Sequence, residues 1–107
     1  GASVIVGGDY NAEENYAAYR IIQGVIKDAP DTLIEAGTNI ETEERYSSLS
    51  KTFGRKRLLD HILISKNLET HLGSVKILNN NISENKNIAP NPNMVGSDHA
   101  PIVIELI

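Results

Sequence analysis

The sequence contains no cysteine and no long hydrophobic run, and it has no excess of positive charge. Without cysteine, a disulfide framework and a thiolate metal site are excluded, while the redox compartment stays open. No apolar stretch approaches the roughly 20 residues that a membrane-spanning helix needs, and no basic segment followed by an apolar run indicates a signal peptide. The formal net charge is -4, so no global positive field attracts nucleic acid or anionic lipid. Any phosphate binding is therefore expected to be local.

The composition is nevertheless that of a folded domain. The 107 residues are 40% hydrophobic and 22% charged, which is ordinary for globular proteins and allows one small domain. The segment 2–6 (ASVIV) predicts a buried strand that leads into a loop at Gly7. Because a strand buried on both faces needs neighbours, the natural domain is expected to begin before Gly1.

A single main helix is predicted from the next part of the chain. Between Ala12 and Ala29, apolar residues recur at three- and four-residue steps, which indicates one buried helix face. Pro30 ends this helix, because proline has no amide hydrogen to donate and restricts the residue before it. One further turn is expected within 31–40, and the polar, serine-rich stretch 41–56 predicts a long loop.

Three more strands are predicted after that loop. The segment 57–65 (RLLDHILIS) is nearly continuous in apolar content, which favours a central strand with two polar residues at its middle. A short strand is predicted at 74–78 and a terminal strand at 101–107. The asparagine-rich stretch 79–95 between them has the composition of a loop.

Polar residues that could do chemistry occur in three segments at strand ends: 8–11 (GDYN), 59–61 (LDH) and 96–101 (GSDHAP). In the first segment, an extended backbone would send the side chains of Asp9 and Asn11 to the same side, which places a carboxylate beside a carboxamide. The alternative is a turn with an Asx cap on the helix that follows.

The second segment places Asp60 inside an apolar strand. Burying a carboxylate without a partner costs several kcal/mol, so Asp60 is expected to have one. The partner is either one of the chain's three histidines or, as a structural salt link, Arg55 or Arg57.

The three histidines have different expected environments. His61 is expected to pack in the core, on the strand face opposite Asp60. His71 lies in a polar stretch and is expected to be solvated. His99 precedes the terminal strand, where it is either part of a site or merely exposed in a polar turn.

Taken together and in this order, the three segments resemble the signatures of the endonuclease/exonuclease/phosphatase superfamily, a family of divalent-metal phosphoesterases. The similar stretches are 4–11 (VIVGGDYN), 52–53 (TF) leading into 57–62 (RLLDHI), and 96–102 (GSDHAPI). They resemble the family's strand-Gly-Asp-aromatic-Asn, Asp-Tyr/His-Ile and Ser-Asp-His-x-Pro motifs.

The resemblance implies an α/β (α+β) fold of the deoxyribonuclease-like kind, which is a two-sheet α/β sandwich. Residues 1–107 would form the C-terminal half of that domain, as half of the sandwich with one mixed sheet and one main helix. The other half, which brings the family's metal-binding Glu, would be missing. The isolated fragment is therefore expected to be inactive.

The resemblance also implies catalytic and metal-binding roles. Asp9 would orient or deprotonate the attacking water and help to hold Mg²⁺ or Mn²⁺. Asn11 would donate a hydrogen bond to a non-bridging phosphate oxygen. Asp60 would hold the imidazole of His99 in one orientation, and His99 would bind a phosphate oxygen. Asp98 would also hold the divalent ion, which prefers oxygen ligands.

Four basic residues lead into the strand that carries Asp60. Arg55 and Arg57, together with Lys51 and Lys56, would contact substrate phosphates. A solvated basic loop is the equally weighted alternative.

The implied function is Mg²⁺-dependent hydrolysis of a phosphodiester or phosphomonoester by in-line attack of water. The substrate class stays open among nucleic acid, lipid and sugar phosphates, because fold does not decide among them. The alternative is a non-catalytic binding module that keeps the fold, although the presence of every motif residue favours chemistry. The face exposed by the missing half is expected to drive self-association as a homodimer.

Overall fold

The computed structural model describes residues 2–24, 29–50, 55–80 and 99–107. These contain, in chain order, β1 (Ile5–Asp9), α1 (Ala17–Gln23), β2 (Ile34–Glu35), β3 (Ser48–Ser50), β4 (Arg55–Arg57), β5 (Asp60–Ile64), β6 (Leu72–Ile77) and β7 (Ile102–Leu106). Short 3₁₀ helices lie at Ala36–Asn39, Thr42–Glu44 and Lys66–His71. The protein is thus a small α+β structure. Among the described residues, no helix has the length and apolar content needed to cross a membrane.

The strands form three small antiparallel sheets. β5 lies between β1 and β2 in a three-stranded sheet, β3 pairs with β4, and β6 pairs with β7. The expectation of one mixed sheet was wrong for the part of the chain that the structure describes. β1 and β2, which are joined through α1, do not pair with each other, because β5 takes the place between them and runs antiparallel to both.

The register of β1 on β5 brings two polar strand ends together. Gly8 lies opposite His61, and Asp9 lies opposite Asp60. The amide of Tyr10 continues the pairing by donating to the carbonyl of Leu59 at 3.0 Å. Directly opposite residues of an antiparallel pair have their side chains on the same face. The two aspartates therefore share one face at the end of the sheet.

The core lies between α1 and β5. Ala12, Tyr19 and Leu63 are each no more than 2% exposed, and Tyr10 and Leu33 pack against them. The central position predicted for the strand within 57–65 is confirmed, because β5 supplies this cluster and is the middle strand of its sheet.

β1 does not have the environment that its sequence suggested. In the sheet that the described residues form, it is an edge strand, and four of its five residues are exposed, so the prediction of a strand buried on both faces was wrong. Its apolar residues Ile5 and Val6 lie opposite Ile64 and Leu63 in the backbone pairing with β5, which runs along one edge of β1. The sequence could not show this, because β-branched content indicates a strand without indicating how many faces are covered.

α1 is shorter than the helix predicted over 12–29. It ends at Gly24, which has a φ of 122° and whose amide donates to the carbonyl of Arg20 at 2.9 Å. A positive φ is least costly for glycine, so the helix ends here and not at Pro30. Residues 25–28 of the predicted helix lie outside the described residues.

The described part of the stretch 41–56 is not a loop throughout, because it holds a 3₁₀ helix, β3 and the start of β4. The serine content had indicated a loop, but Ser47 and Ser48 are fully buried. The other expectations fared better. β6 and β7 lie where strands were predicted, and the turn expected within 31–40 is a 3₁₀ helix. Of the predicted loop 79–95, the part beyond residue 80 lies outside the described residues.

Candidate active site

Three chain segments converge at one end of the β1–β5 pair. Asp9 is the last residue of β1, Asp60 is the first residue of β5, and His99 lies just before β7. One ligand-type atom from each of the three lies within 4.8 Å of the others. The backbone of His99 is placed by an isolated antiparallel bridge to Ser48 on β3.

His99 is the partner of Asp60. Its Nδ1 lies 2.7 Å from Oδ2 of Asp60, and the two side chains are 24% and 17% exposed. A short hydrogen bond to a largely buried carboxylate fixes the orientation of an imidazole ring. Of the alternatives left open by the sequence, neither Arg55 nor Arg57 pairs with Asp60 within the described residues.

A buried serine fixes the backbone from which the Asp60 side chain projects. The hydroxyl oxygen of Ser47 accepts the amide of Leu59 at 2.9 Å and the amide of Asp60 at 3.0 Å. These bonds satisfy two donors at the start of β5. Ser47 therefore fixes the backbone of Asp60, while His99 binds its carboxylate. Nothing in the sequence pattern indicated this role for Ser47.

Asp9 is the exposed member of the group. Its side chain is 53% exposed, and its Oδ2 lies 3.9 Å from Nδ1 of His99. Its Oδ1 accepts the backbone amide of Asn11 at 2.7 Å, which makes an Asx turn. The turn is the one considered from the sequence, but it caps no helix, because the N-cap of α1 is Tyr16. One oxygen of Asp9 is left facing the group.

Asn11 is placed beside Asp9 by this turn and not by a strand. β1 ends at Asp9, and Asn11 has a left-handed backbone with a φ of 48°. The prediction that an extended strand places the Asp9 and Asn11 side chains on the same side was therefore wrong. Asparagine tolerates a positive φ better than most residues, which suits it to the position.

A buried polar cluster of His61, Glu35 and Tyr19 lies on the opposite side of β5 from Asp60. The sequence predicted only the buried position of His61. His61 is 1% exposed, as predicted for a core histidine, and Glu35 is 5% exposed. Nδ1 of His61 lies 3.0 Å from Oε2 of Glu35, which also accepts the hydroxyl of Tyr19 at 2.8 Å. Burial, reinforced by the charge of Glu35, raises the pKa of Tyr19. The available signal for Glu35 was a lone acid within the apolar segment 33–36 (LIEA).

The basic residues have mixed positions. Arg55 is exposed, and its guanidinium lies 3.2 Å from Oε1 of Glu13, which makes a salt link. Arg57 is half-buried, and its Nε has no hydrogen-bond partner among the described residues. Lys51 and Asp98 lie outside the described residues, as does Ser97 beside Asp98.

Asp9, Asp60 and His99 form a group that could hold a metal ion. Asp9 and Asp60 offer carboxylate oxygens on one face, and oxygen is the ligand type that Mg²⁺ and Mn²⁺ prefer. Nδ1 of His99 is already engaged by Asp60, so this nitrogen orients the ring and does not add a ligand. The group could therefore hold a cation, with Asp9 as the less engaged of its two carboxylates.

A cavity of about 330 Å³ opens next to the two aspartates. This volume is at the lower end of the range for sites that bind small molecules. Its wall combines β1, β5 and the start of β7, with the residues Gly7, Gly8, Asp9, Asp60, His61, Ile62, Ala100, Pro101 and Ile102.

The chain was compared with protein-family models, with curated proteins and with solved structures, and none of them matches it. The functional interpretation therefore depends on the sequence motifs and on the grouping of Asp9, Asp60 and His99.

Proposed function

We propose that this chain carries catalytic residues of a metal-dependent phosphoesterase related to the endonuclease/exonuclease/phosphatase superfamily. The observation that carries the proposal is the 2.7 Å hydrogen bond between Asp60 and His99, with the Asp9 carboxylate beside it. The three residues come from separate parts of the chain, and each belongs to one of the three motif segments. Sequence order and spatial proximity thus support the same function.

The reaction proposed is in-line attack of water on phosphorus. Asp9, whose side chain is half exposed, orients the water and takes its proton. The ester bond opposite the water breaks, and the departing oxygen takes a proton from solvent. When bound at Asp9, a divalent cation supplies positive charge that favours ionisation of the water and offsets the charge of the phosphate.

Hydrogen-bond donors on the chain stabilise the transition state in this proposal. His99 donates to a phosphate oxygen, and Asp60 keeps the ring in the orientation that makes this possible. Asn11 donates to a second, non-bridging oxygen without adding a charge of its own. Donors that are fixed before the reaction are effective where negative charge grows.

The substrate class follows from the site only as far as the phosphate group. A phosphodiester or a phosphomonoester of a nucleic acid, a lipid or a sugar presents the same oxygens to Asn11 and His99. The guanidinium of Arg55 is engaged by Glu13, which favours Arg57 of the two arginines for a second phosphate contact.

Hydrolysis of a chromogenic phosphodiester and a phosphomonoester with Mg²⁺ or Mn²⁺ tests the proposal. The assay uses the 107 residues and the full product of the gene that encodes them. We expect His99→Ala to lower kcat at least about 100-fold, the cost of losing one well-placed donor. His71→Ala is the matched control, because His71 is exposed and its ring Nδ1 lies 2.9 Å from the carbonyl of Ile107, at the β6–β7 pair. A gene product without metal-dependent hydrolysis, or with hydrolysis that survives His99→Ala, contradicts the proposal.

A second candidate function is a non-catalytic binding or self-associating module. The observation that favours it is the apolar surface of α1, where Ile21 is 69% exposed, Tyr16 46% and Ile22 41%. Exposed apolar side chains grouped on one element are typical of an interaction surface.

A further inference from the structure

His61 follows Asp60 on β5, and the two side chains point to opposite faces of the sheet. Asp60 faces the proposed active site, while His61 is 1% exposed in the core. We propose that His61 is a positioning residue, which holds the carbonyl of Ala12 and thereby fixes the loop that follows Asp9 and carries Asn11. The catalytic consequence of this inference rests on the proposed function, whereas its structural part does not.

The hydrogen bonds of His61 have only one consistent assignment at Nε2. This nitrogen lies 2.7 Å from the carbonyl oxygen of Ala12, and a carbonyl oxygen can only accept. Nε2 therefore carries a hydrogen and donates it. Nδ1 lies 3.0 Å from Oε2 of Glu35, so a hydrogen also lies between these two atoms, because two lone pairs do not face each other at this distance. Both ring nitrogens are thus occupied by a bond to the protein.

The ring of His61 is also held by its neighbours. The ring centroid of Tyr10 lies 5.1 Å away, and that of Tyr19 lies 4.6 Å away in an edge-on arrangement. Glu35 is fixed in turn by the hydroxyl of Tyr19 and by the amide of Gly37 at 3.3 Å. A side chain that is packed and hydrogen-bonded in this way has the preorganisation expected of a residue that supports a site.

The loop between β1 and Ala12 is held at both ends. At its start, the amide of Tyr10 bonds to the carbonyl of Leu59 at 3.0 Å. At its end, Ala12 is 2% exposed and its carbonyl is bound by His61. Between these points lies Asn11, whose φ of 48° is unfavourable for a residue with a side chain. Such a conformation persists where the surroundings fix the chain on either side.

Loss of the Nε2 donor would leave the carbonyl of Ala12 buried without a partner. A buried acceptor without a partner is costly, and a local shift of the loop toward water relieves that cost. The residue before Ala12 is Asn11, so the shift displaces the proposed phosphate donor and the amide that bonds to Asp9. The role of His61 is therefore specific to one hydrogen bond and differs from filling space in the core.

Two substitutions separate that hydrogen bond from packing. In His61→Gln, the side-chain amide nitrogen can reach the position of Nε2 and donate to Ala12. In His61→Asn, the shorter side chain places its amide nitrogen near the position of Nδ1, beside Glu35, and does not reach Ala12. Ile64→Ala is the matched control for stability, because Ile64 is fully buried on β5 but lies on the other face from His61.

The first readout is the backbone amide of Asn11 in the 107-residue chain, followed by NMR and by hydrogen exchange. We expect His61→Asn to move its chemical shift and to accelerate its exchange about tenfold or more, while His61→Gln keeps both close to wild type. Ile64→Ala is expected to lower overall stability without moving the Asn11 chemical shift. Equal effects of Gln and Asn on this amide, or no effect of either, overturn the proposal.

The second readout is catalysis, measured on the gene product used for the hydrolysis assay. We expect His61→Asn to lower kcat about 100-fold with little change in KM, because a displaced donor weakens transition-state binding, and His61→Gln to restore most of it. A wild type without metal-dependent hydrolysis contradicts the phosphoesterase function. In that case the chemical shift and exchange rate of the Asn11 amide still test whether His61 anchors the loop. Hydrolysis that is lost equally in Gln and Asn overturns the positioning role and leaves the phosphoesterase function standing.

Discussion

Asp60 and His61 show how two consecutive residues can serve one site from both sides of a sheet. Asp60 binds the ring of His99 on the open face, and His61 binds Glu35 and the carbonyl of Ala12 on the buried face. Strand alternation made this division predictable, because neighbouring side chains in a strand point in opposite directions. The partners were harder to foresee, since Glu35 and Ala12 belong to segments with no motif of their own.

Tyr19 gives a prediction for the pH dependence of stability. Burial and the charge of Glu35 raise the pKa of Tyr19 in the folded protein. Above pH of about 10 the unfolded chain releases this proton while the folded chain keeps it, so the free energy of unfolding falls as pH rises. The fall attributable to one such group is at most about 1.4 kcal/mol per pH unit.

Urea unfolding between pH 9 and pH 11 measures this slope. Tyr19→Phe is expected to flatten it, although the variant loses the bond to Glu35 and is less stable at neutral pH. Tyr16→Phe serves as the control, because Tyr16 is 46% exposed. An unchanged slope in Tyr19→Phe would show that other groups cause the loss of stability.

Asp9 and Asp60 lie directly opposite each other in the β1–β5 pair, which predicts a stability cost in the absence of a cation. Like charges at opposite positions of a strand pair are destabilising. We expect Asp9→Asn to raise the free energy of unfolding of the metal-free protein by about 0.5 kcal/mol, and to weaken binding of Mg²⁺ or Mn²⁺.

Denaturant unfolding and metal titration of the same samples check this prediction. Asp31→Asn makes the same change in net charge at an exposed position of the chain and is the matched control. Metal-free Asp9→Asn protein that is less stable than wild type would show that the carboxylate contributes more through the Asx turn than it costs through repulsion.

At the scale of elements, the two adjacent glycines of β1 have different backbone requirements. Gly8 has a φ of 150°, which side chains disfavour, although no atom lies within 4 Å of the position of a Cβ. At Gly7, an added Cβ would meet Ile62 at 3.5 Å, which is an ordinary contact. We expect Gly8→Ala to cost about 1–2 kcal/mol and to disturb Asp9.

Gly7→Ala is the natural comparison, and we expect it to change stability by less than about 1 kcal/mol in either direction. Thermal unfolding of the two variants side by side is the measurement. Equal destabilisation by both substitutions would mean that the edge strand β1 rejects any side chain there, whatever its φ.

Some of the strands and helices could be predicted from the sequence, and others could not. β5, β6 and β7 were predictable because apolar content and alternation are strong signals in short strands. The end of α1 was not, because the periodic apolar pattern continues past Gly24 and only the observed positive φ shows that this glycine stops the helix. The pairing of β3 with β4 was missed because Ser47 and Ser48, which are ordinary loop residues on composition, are buried here, and the Ser47 hydroxyl accepts backbone amides.

The candidate site was also predictable from the sequence only in part. The cost of burying a carboxylate predicted a partner for Asp60 but left a histidine and an arginine open, and the resemblance of the motifs pointed to His99. The Asx turn at Asp9 was weighed from the sequence, but the left-handed backbone of Asn11 depends on contacts made by distant residues. Sequence patterns report such distant contacts poorly, because the residues that make them are far apart in the chain.

At the scale of the whole molecule, the exposed apolar side chains of α1 keep self-association as a prediction. We expect a concentration-dependent dimer in analytical ultracentrifugation, weakened by Ile21→Lys because Ile21 is 69% exposed. Val103→Lys is the control, because Val103 is 49% exposed on β7 in a different sheet. A monomer at high concentration, or a dimer that both variants weaken equally, would exclude α1 as the contact surface.

The pairing of β1 with β5 has a consequence for how the protein is made. Asp60, which lies opposite Asp9, comes about 50 residues later in the chain, and His99 follows 39 residues after Asp60. β1 is therefore synthesised before its partner β5, and its backbone groups cannot pair with β5 until that strand has also been made. A chain that ends between residues 60 and 99 would contain the two aspartates without the histidine, so the complete group of three assembles only after residue 99.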